Sequence, residues 1–442
     1  MRQRRLITGL AVASALVVSG AVAGCSSGSG NSGGTSEPTA VSTAIPSGQI
    51  TLTLATEDTS GLTQNLVQGF EKLHPNVTIN IETTAYTAYT ASVGLRLASS
   101  TPPDLSEAVV LGDLVKQHLL LNLDKYAALY HWTSELSPYS LAEYRMGPDL
   151  VSGSGPLWAI SSGFDLTGLY YNKKLAAGLG ISSPPATLAE LDADLAKAKK
   201  AGITGMEVAA NDGHGAYIVQ QVADDYDPPT PVNNWIFGAK GATFGLPGIT
   251  NGVNALVGWA KSGYINSTAN SYSLTQALAA FNAGQALFFN DGNWDGAAVQ
   301  KALGSNAGFA VFPAATAGGR VTAMVGGTAG YQISAQTKYP NVAAAFLNYT
   351  ISPQAASLVA AAGDLPNDAS AANAPAGSLL AQFSGAWQAV EKSDGLYGWF
   401  ANAYDLANTT LTQTTEELIG GSLQVPSFVS QVQSAWAQAH QS

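Results

Sequence analysis

QITLTLATEDTSGLTQNLVQGFEKLHPNVTINIET, residues Gln49 to Thr83, holds two alternating stretches on either side of a helical one. Ile50, Leu52 and Leu54 alternate with threonine, and so do Val77, Ile79 and Ile81 with polar residues, which is the period of a strand with one buried face. Between them Leu62, Leu66, Val67, Phe70 and Leu73 fall on one face of a helix that Pro75 must stop. Strand, helix, strand in that spacing is a βαβ unit, and it predicts an α/β fold with a parallel sheet covered by helices. Open sheets of this kind bind ligands beyond the carboxyl ends of their strands. The first such loop is Thr56 to Ser60. It contains Glu57 and Asp58, one of which is expected to face a ligand.

The rest of the chain is informative through what it lacks. Its 442 residues carry a net charge of -11 with only 11% charged residues and no basic run, which argues against nucleic acid. Five scattered histidines make no metal-ligand spacing, so no metal or cofactor is expected. "DDYDPP", Asp224 to Pro229, lacks the spaced ligands and the closing glutamate of a calcium loop. Eight tryptophans and 17 tyrosines are many beside so few charges, and aromatics outside a core make flat binding platforms.

Cys25 is the only cysteine and cannot form an intramolecular disulfide. Arg2, Arg4 and Arg5 precede an uncharged run from Leu6 to Gly24, the layout of a secretory signal over residues 1–24. Ending in Ala23-Gly24-Cys25, it resembles a bacterial lipobox. That resemblance implies cleavage before Cys25, a lipid on its thiol, and anchorage on the extracellular face of the cell membrane. An ordinary secretory signal or a single anchor helix is the alternative. Residues 25–48 continue as a Gly/Ser-rich tether that cannot build a core.

Further along, "TLAELDADLAKAKKAG" reads as a surface helix, with Thr187 and Glu190 as a capping box and Gly202 at its end. It closes a longer stretch, "GPLWAISSGFDLTGLYYNKKLAAGLGISSPPATLAELDADLAKAKKAGI". Together with "ASSTPPDLSEA", "LLLNLDKYA", "ALAAFNAGQALFFNDGNW" and "GGTAGYQISAQTKYPNVAAAFLNYTISPQAASL", in that order, the chain resembles bacterial extracellular solute-binding proteins of the sugar-transporting ABC class. The resemblance implies a periplasmic-binding-protein-like fold of two lobes, with a hinge and an interlobe ligand cleft. Lobe one would take residues 49–163 and 314–372, and lobe two 164–313 and 373–442. It further implies a monomer without enzymatic activity. Such a protein hands a sugar or oligosaccharide to permease subunits served by a separate ATPase.

A sugar presents hydroxyls in fixed directions and an apolar C–H face, so its cleft should interleave carboxylates with aromatic rings. "FFNDGNWDG" has that mixture: Ala286 to Phe289 reads as a buried strand, with Asn290 to Asp295 on its loop. By resemblance Trp294, in Gly292-Asn293-Trp294, takes the place of the family's stacking tryptophan. Asp165, counted back from Tyr171-Asn172, falls where relatives contact sugar with a carboxylate. Glu107 follows the Pro103-Asp104 element, and Gly327 and Thr328 belong to a glycine pair that brings backbone close to ligand. Trp399 stands where relatives supply a late aromatic. Asp291, Asp295, Phe164 and Trp235 are candidates with bland alternatives: a turn, a helix cap, hinge core and packing. Asp291 with Asp295 is also the pair a glycoside hydrolase would need, and a non-sugar solute is a further alternative.

Overall fold

The computed structural model describes residues 40–440 apart from 110, 137, 368–373 and 405, so the signal expected over residues 1–24 and the lipidation expected at Cys25 lie outside the described residues. The opening unit forms as its periodicity predicts. β1 (Ile50–Thr56) and β2 (Val77–Thr83) pair in parallel, from Ile50 opposite Val77 to Thr56 opposite Thr83, with helix Leu62–Leu73 between them. Leu62, Leu66, Val67 and Phe70 are buried, but Leu73 is 57% exposed. It is the last residue of the helix, where the chain turns toward β2 and solvent reaches it.

The remaining strands are β3 (Leu105–Glu107), β4 (Arg145–Met146), β5 (Ser152–Leu157), β6 (Ala159–Asn172), β7 (Thr204–Glu207), β8 (Ala286–Gly292), β9 (Ala307–Ala310), β10 (Ala323–Ile333), β11 (Leu365–Pro366) and β12 (Leu396–Tyr397). Their main path runs β2-β1-β3-β10-β6-β8-β7. Two long strands hold it together. β6 pairs with β10 from Ala159 to Leu166, then with β8 and β9 from Thr167 to Asn172. β10 pairs with β12 at Ala323 and Met324, and reaches β3 at Tyr331 to Ile333. Each therefore serves both ends of the molecule.

Packing divides at those strands. One set of buried apolar residues comes from Ile50 to Ile160 and from Ala329 to Val359. The other comes from Phe164 to Val325 and from Leu365 to Trp436. Ala314, where the returning segment of lobe one was expected to begin, still bridges Thr187 and accepts a hydrogen bond from Leu188 N at 2.9 Å. The chain stays with the second core until β10 carries it across.

Helix Leu188–Lys200 is capped by Thr187, whose hydroxyl accepts from Glu190 N at 3.2 Å. The reciprocal bond is displaced by one residue, because Glu190 accepts from Ala186 N instead. No helix among the described residues is long and apolar enough to cross a membrane.

Candidate ligand-binding cleft

The carboxyl ends of β1 and β3 bring three acids together. Glu107, 7% exposed, accepts from Thr56 Oγ1 at 2.5 Å and from Glu57 N at 2.9 Å. Asp58 is occupied locally: one carboxylate oxygen accepts from Ser60 N and Oγ, the other from Thr63 N, all at 2.6 Å. It caps the helix because Gly61, at the N-cap, has no side chain to do so. Of the two candidates in this loop, Glu57 is the one whose carboxylate is left for the cleft.

The crossing strands add Asp165 on β6, opposite Gly326 on β10, and Glu143 at the end of helix Pro138–Glu143. Glu143 accepts from the Gly327 amide. A Cβ at Gly326 would lie 2.5 Å from Trp399 Nε1 and 3.1 Å from Glu143 Oε1; one at Gly327 would lie 2.4 Å from Tyr144 OH. Neither glycine has a positive φ, and both sit mid-strand rather than in a turn. They are glycine because side chains close down on this backbone. Thr328, buried, hydrogen-bonds Asp165 with its side chain.

β8 runs through Gly292, longer than the sequence suggested, so Asn290 and Asp291 are strand residues held opposite Leu169 and Gly168 of β6. Only Asn293–Asp295 remains as a single 3-10 turn. Asp291 is fully buried, with Oδ1 3.1 Å from His214 Nε2, and its carboxyl hydrogen-bonds that of Asp295. Beyond this pair runs a chain of rings. Trp294 and Trp399 have centroids 5.8 Å apart, Trp399 and Tyr217 5.3 Å, and Tyr217 and His214 4.4 Å. Tyr86, from the start of helix Tyr86–Leu97, acts electrostatically on Tyr217 and feels the charge of Glu57.

Two candidates lie elsewhere. Trp235 is 1% exposed and packs against Phe244 at 4.7 Å and Phe400 at 5.5 Å, so it is a core residue, as its amphipathic helix Pro229–Ile236 requires. Phe164 is buried and stacked on Trp387 at 4.3 Å, which makes it core at the hinge. Conversely, Glu143, His214, Tyr217, Asp364 and Tyr86 were not singled out in the sequence. His214 and Tyr217 stand three apart on helix His214–Tyr226, a spacing that puts them on one face and was the available signal. A cavity of about 450 Å³ shares Glu143 and Trp399 with the cluster, and Tyr144, Phe237 and Tyr404 also line it. Glu57, Asp165, Asp291 and Trp294 lie outside it.

Burial, reinforced by mutual repulsion, raises the acids. Glu57 is pushed to about 8 by burial, then by Glu107, Asp58 and Asp165. Glu143 reaches about 8 by burial and Asp165, and Asp165 about 7 by burial and Glu107. Asp295 reaches about 9 by burial and Asp291, while Asp291 is raised to about 7 by burial. Glu107 and Asp364 also move upward through burial. Burial lowers His214 to about 4, so its ring is neutral at pH 7. The sign for the acids follows from linkage. Groups raised in the compact state favour it fully below about pH 4, and that contribution is lost as pH rises through about 7 to 9. His214 acts oppositely, disfavouring the compact state as pH falls from 6.5 toward 4. The ligand-free protein should therefore lose stability on going from pH 6 to pH 9, read as a lower melting temperature. A melting temperature unchanged or raised at pH 9 would mean the acids are not held in the protonated form.

The arrangement is that of a protein with two α/β packing cores joined by the crossing strands β6 and β10. The chain belongs to the family of bacterial extracellular solute-binding proteins, which matches residues 55–357. Proteins named as binding proteins from Brucella abortus (strain 2308) and Brucella suis biovar 1 (strain 1330) are 26% identical over 163 residues, 35% of this chain. The match spans 37% of the length of those relatives. Among solved structures, a chitin oligosaccharide binding protein superposes with a TM-score of 0.74 at 20% identity, over 89% of this chain and 99% of that one. The GacH receptor of Streptomyces glaucescens gives 0.73 at 20% identity, over 89% and 99%. Maltose-bound T. maritima MalE3 gives 0.69 at 16% identity, over 88% and 99%. The two-lobed α/β fold that the family resemblance implied is the fold these proteins share.

Proposed function

We propose that this protein is the carbohydrate-capturing subunit of an ABC importer, binding a sugar or oligosaccharide between its lobes and presenting it to permease subunits driven by a separate ATPase. The observation that supports this best is the run of rings Trp294, Trp399 and Tyr217 beside carboxylates that the protein leaves short of donors. Oδ1 of Asp165 and Oε2 of Glu143 are buried without a hydrogen-bond partner. Hydroxyls can supply the missing donors while a C–H face lies on the rings. The solved structures named above include receptors for chitin oligosaccharide and maltose, in keeping with this reading. The lobes then divide near Gly163, within β10, and between Val359 and Leu365, where the packing divides. Ligand contacts fall to Glu57, Glu107, Glu143, Asp165, Asp291, Trp294, Asp295, Trp399 and the backbone around Gly327 and Thr328.

Binding without turnover is the better account of the acid pair. A hydrolase needs its two carboxyls on opposite sides of the scissile bond, at least about 5 Å apart. Asp291 and Asp295 instead hydrogen-bond each other. A thermal-shift screen against mono- and oligosaccharides tests the function. A cognate ligand at 100 times its dissociation constant should stabilise by about 2.7 kcal/mol with no new reducing ends. Release of reducing ends would make the protein an enzyme.

We also propose that Cys25 is the first mature residue and carries the lipid that holds the protein outside the cell membrane. Two or three acyl chains, at about 0.8 kcal/mol per buried methylene, suffice for that. Cys25→Ser should move the protein from the membrane fraction to the medium or leave the precursor uncut. Mass spectrometry finding residues 1–25 intact on correctly localised protein would refute it.

A further inference from the structure

The cleft holds more acids than the protein balances with bases. None of Glu57, Glu107, Glu143, Asp165, Asp291, Asp295 or Asp364 forms an ion pair with a lysine or arginine among the described residues. The single basic partner among the described residues is His214, on Asp291, and its ring is neutral at pH 7. Asp291 is also hydrogen-bonded by the Trp294 side chain and the Gly292 amide besides Asp295. Asp165 Oδ1 and Glu143 Oε2, by contrast, are buried without a hydrogen-bond partner.

Neutral hydroxyls would fill the lone pairs but give the acids no reason to ionise, because ionising them together at low dielectric is costly. An ammonium supplies three donors and a charge. Burying that charge is tolerable because the carboxyls beside it are already desolvated and can ionise against it, and rings lie close by. Trp399, Trp294 and Tyr217 offer faces that attract a cation. We propose that the cleft selects a carbohydrate bearing a protonated amine, an amino sugar within an oligosaccharide, with the ammonium seated between Asp165 and Glu143 beside Trp399. This rests on the carbohydrate reading above and narrows it. Because the acids are held partly protonated when the cleft is empty, a cation that ionises them displaces protons on binding.

The test is calorimetry on the full mature chain at pH 7 with three β-1,4-linked tetrasaccharides differing only at C2: glucosamine, N-acetylglucosamine and glucose. The glucosamine tetramer should bind at least about tenfold more tightly than the other two. It should release protons, read as a dependence of the heat on buffer ionisation enthalpy, and its advantage should shrink at pH 5. Asp165→Asn should cut the amine-to-hydroxyl affinity ratio by about tenfold with an unaltered circular dichroism spectrum, whereas a merely structural residue would weaken all three ligands alike. An unchanged ratio overturns the placement. If neutral oligosaccharides, in this series or in the thermal-shift screen, bind as well as or better than the amine, the selection for charge is overturned and the carbohydrate reading stands. If spermidine binds and no carbohydrate does, the carbohydrate reading itself fails.

Discussion

Trp294→Ala should weaken binding of the cognate oligosaccharide by roughly 30- to 700-fold while leaving the protein folded. The magnitude comes from two quantities. A micromolar binder has about -8 kcal/mol in hand, and removing a central aromatic anchor typically costs about 2–4 kcal/mol, at 1.4 kcal/mol per tenfold. The direction comes from how the ring is held. A Cβ placed at Gly292 would sit 2.0 Å from the Trp294 ring, so the indole folds back over the bare backbone at the end of β8. The glycine two residues before the tryptophan exists to admit that posture. With one edge against Trp399 and the ring only partly buried, Trp294 is a surface rather than a keystone of packing. Calorimetry and a melting curve on the same variant separate the two roles. Full affinity with a large fall in melting temperature would make Trp294 a packing residue after all.

That glycine-tryptophan spacing and the two-lobed layout were legible only through the family resemblance, whereas the opening α/β unit was legible from local periodicity. The βαβ unit needed only alternation, a helical face and a proline. What local pattern could not reveal was how far β8 extends. Asn290 and Asp291 are poor strand residues on propensity, and they become strand because β6 offers a partner row of hydrogen bonds more than a hundred residues away. The choice between Glu57 and Asp58 likewise depended on Gly61: a capping residue there would have freed Asp58, and only the folded loop reveals which carboxylate is occupied. Glu143 and Asp364 each stand alone in sequence and acquire meaning only from neighbours brought in by the crossing strands. Gly326 and Gly327 were visible as a pair, but nothing in the sequence said that Trp399 and Tyr144 would press on them.

Trp235→Ala should have the opposite signature, a large loss of stability with ligand affinity nearly unchanged. The indole is 1% exposed and central to an aromatic group with Phe244, Phe400 and Trp436, whose rings lie 4.7, 5.5 and 6.2 Å away. Trp436 also donates its Nε1–H to the Trp235 carbonyl at 2.8 Å, tying the last long helix to this one. Truncating a buried tryptophan to alanine costs about 3–5 kcal/mol, part transfer and part cavity. The loss falls wholly on lobe two, since every ring that Trp235 touches belongs to that core. Its neighbours Ile236 and Phe237 do line the cavity beside the cleft, so a collapse of the core could reach the ligand indirectly. Trp235→Phe guards against that, because it keeps most of the packing and should recover most of the stability. Denaturant titration of both variants, with calorimetry on the folded fraction, measures stability and affinity separately. A tenfold or greater affinity loss in Trp235→Phe at near-native stability would return this residue to the binding surface, and would mean that the helix it sits on turns toward the cleft when ligand arrives.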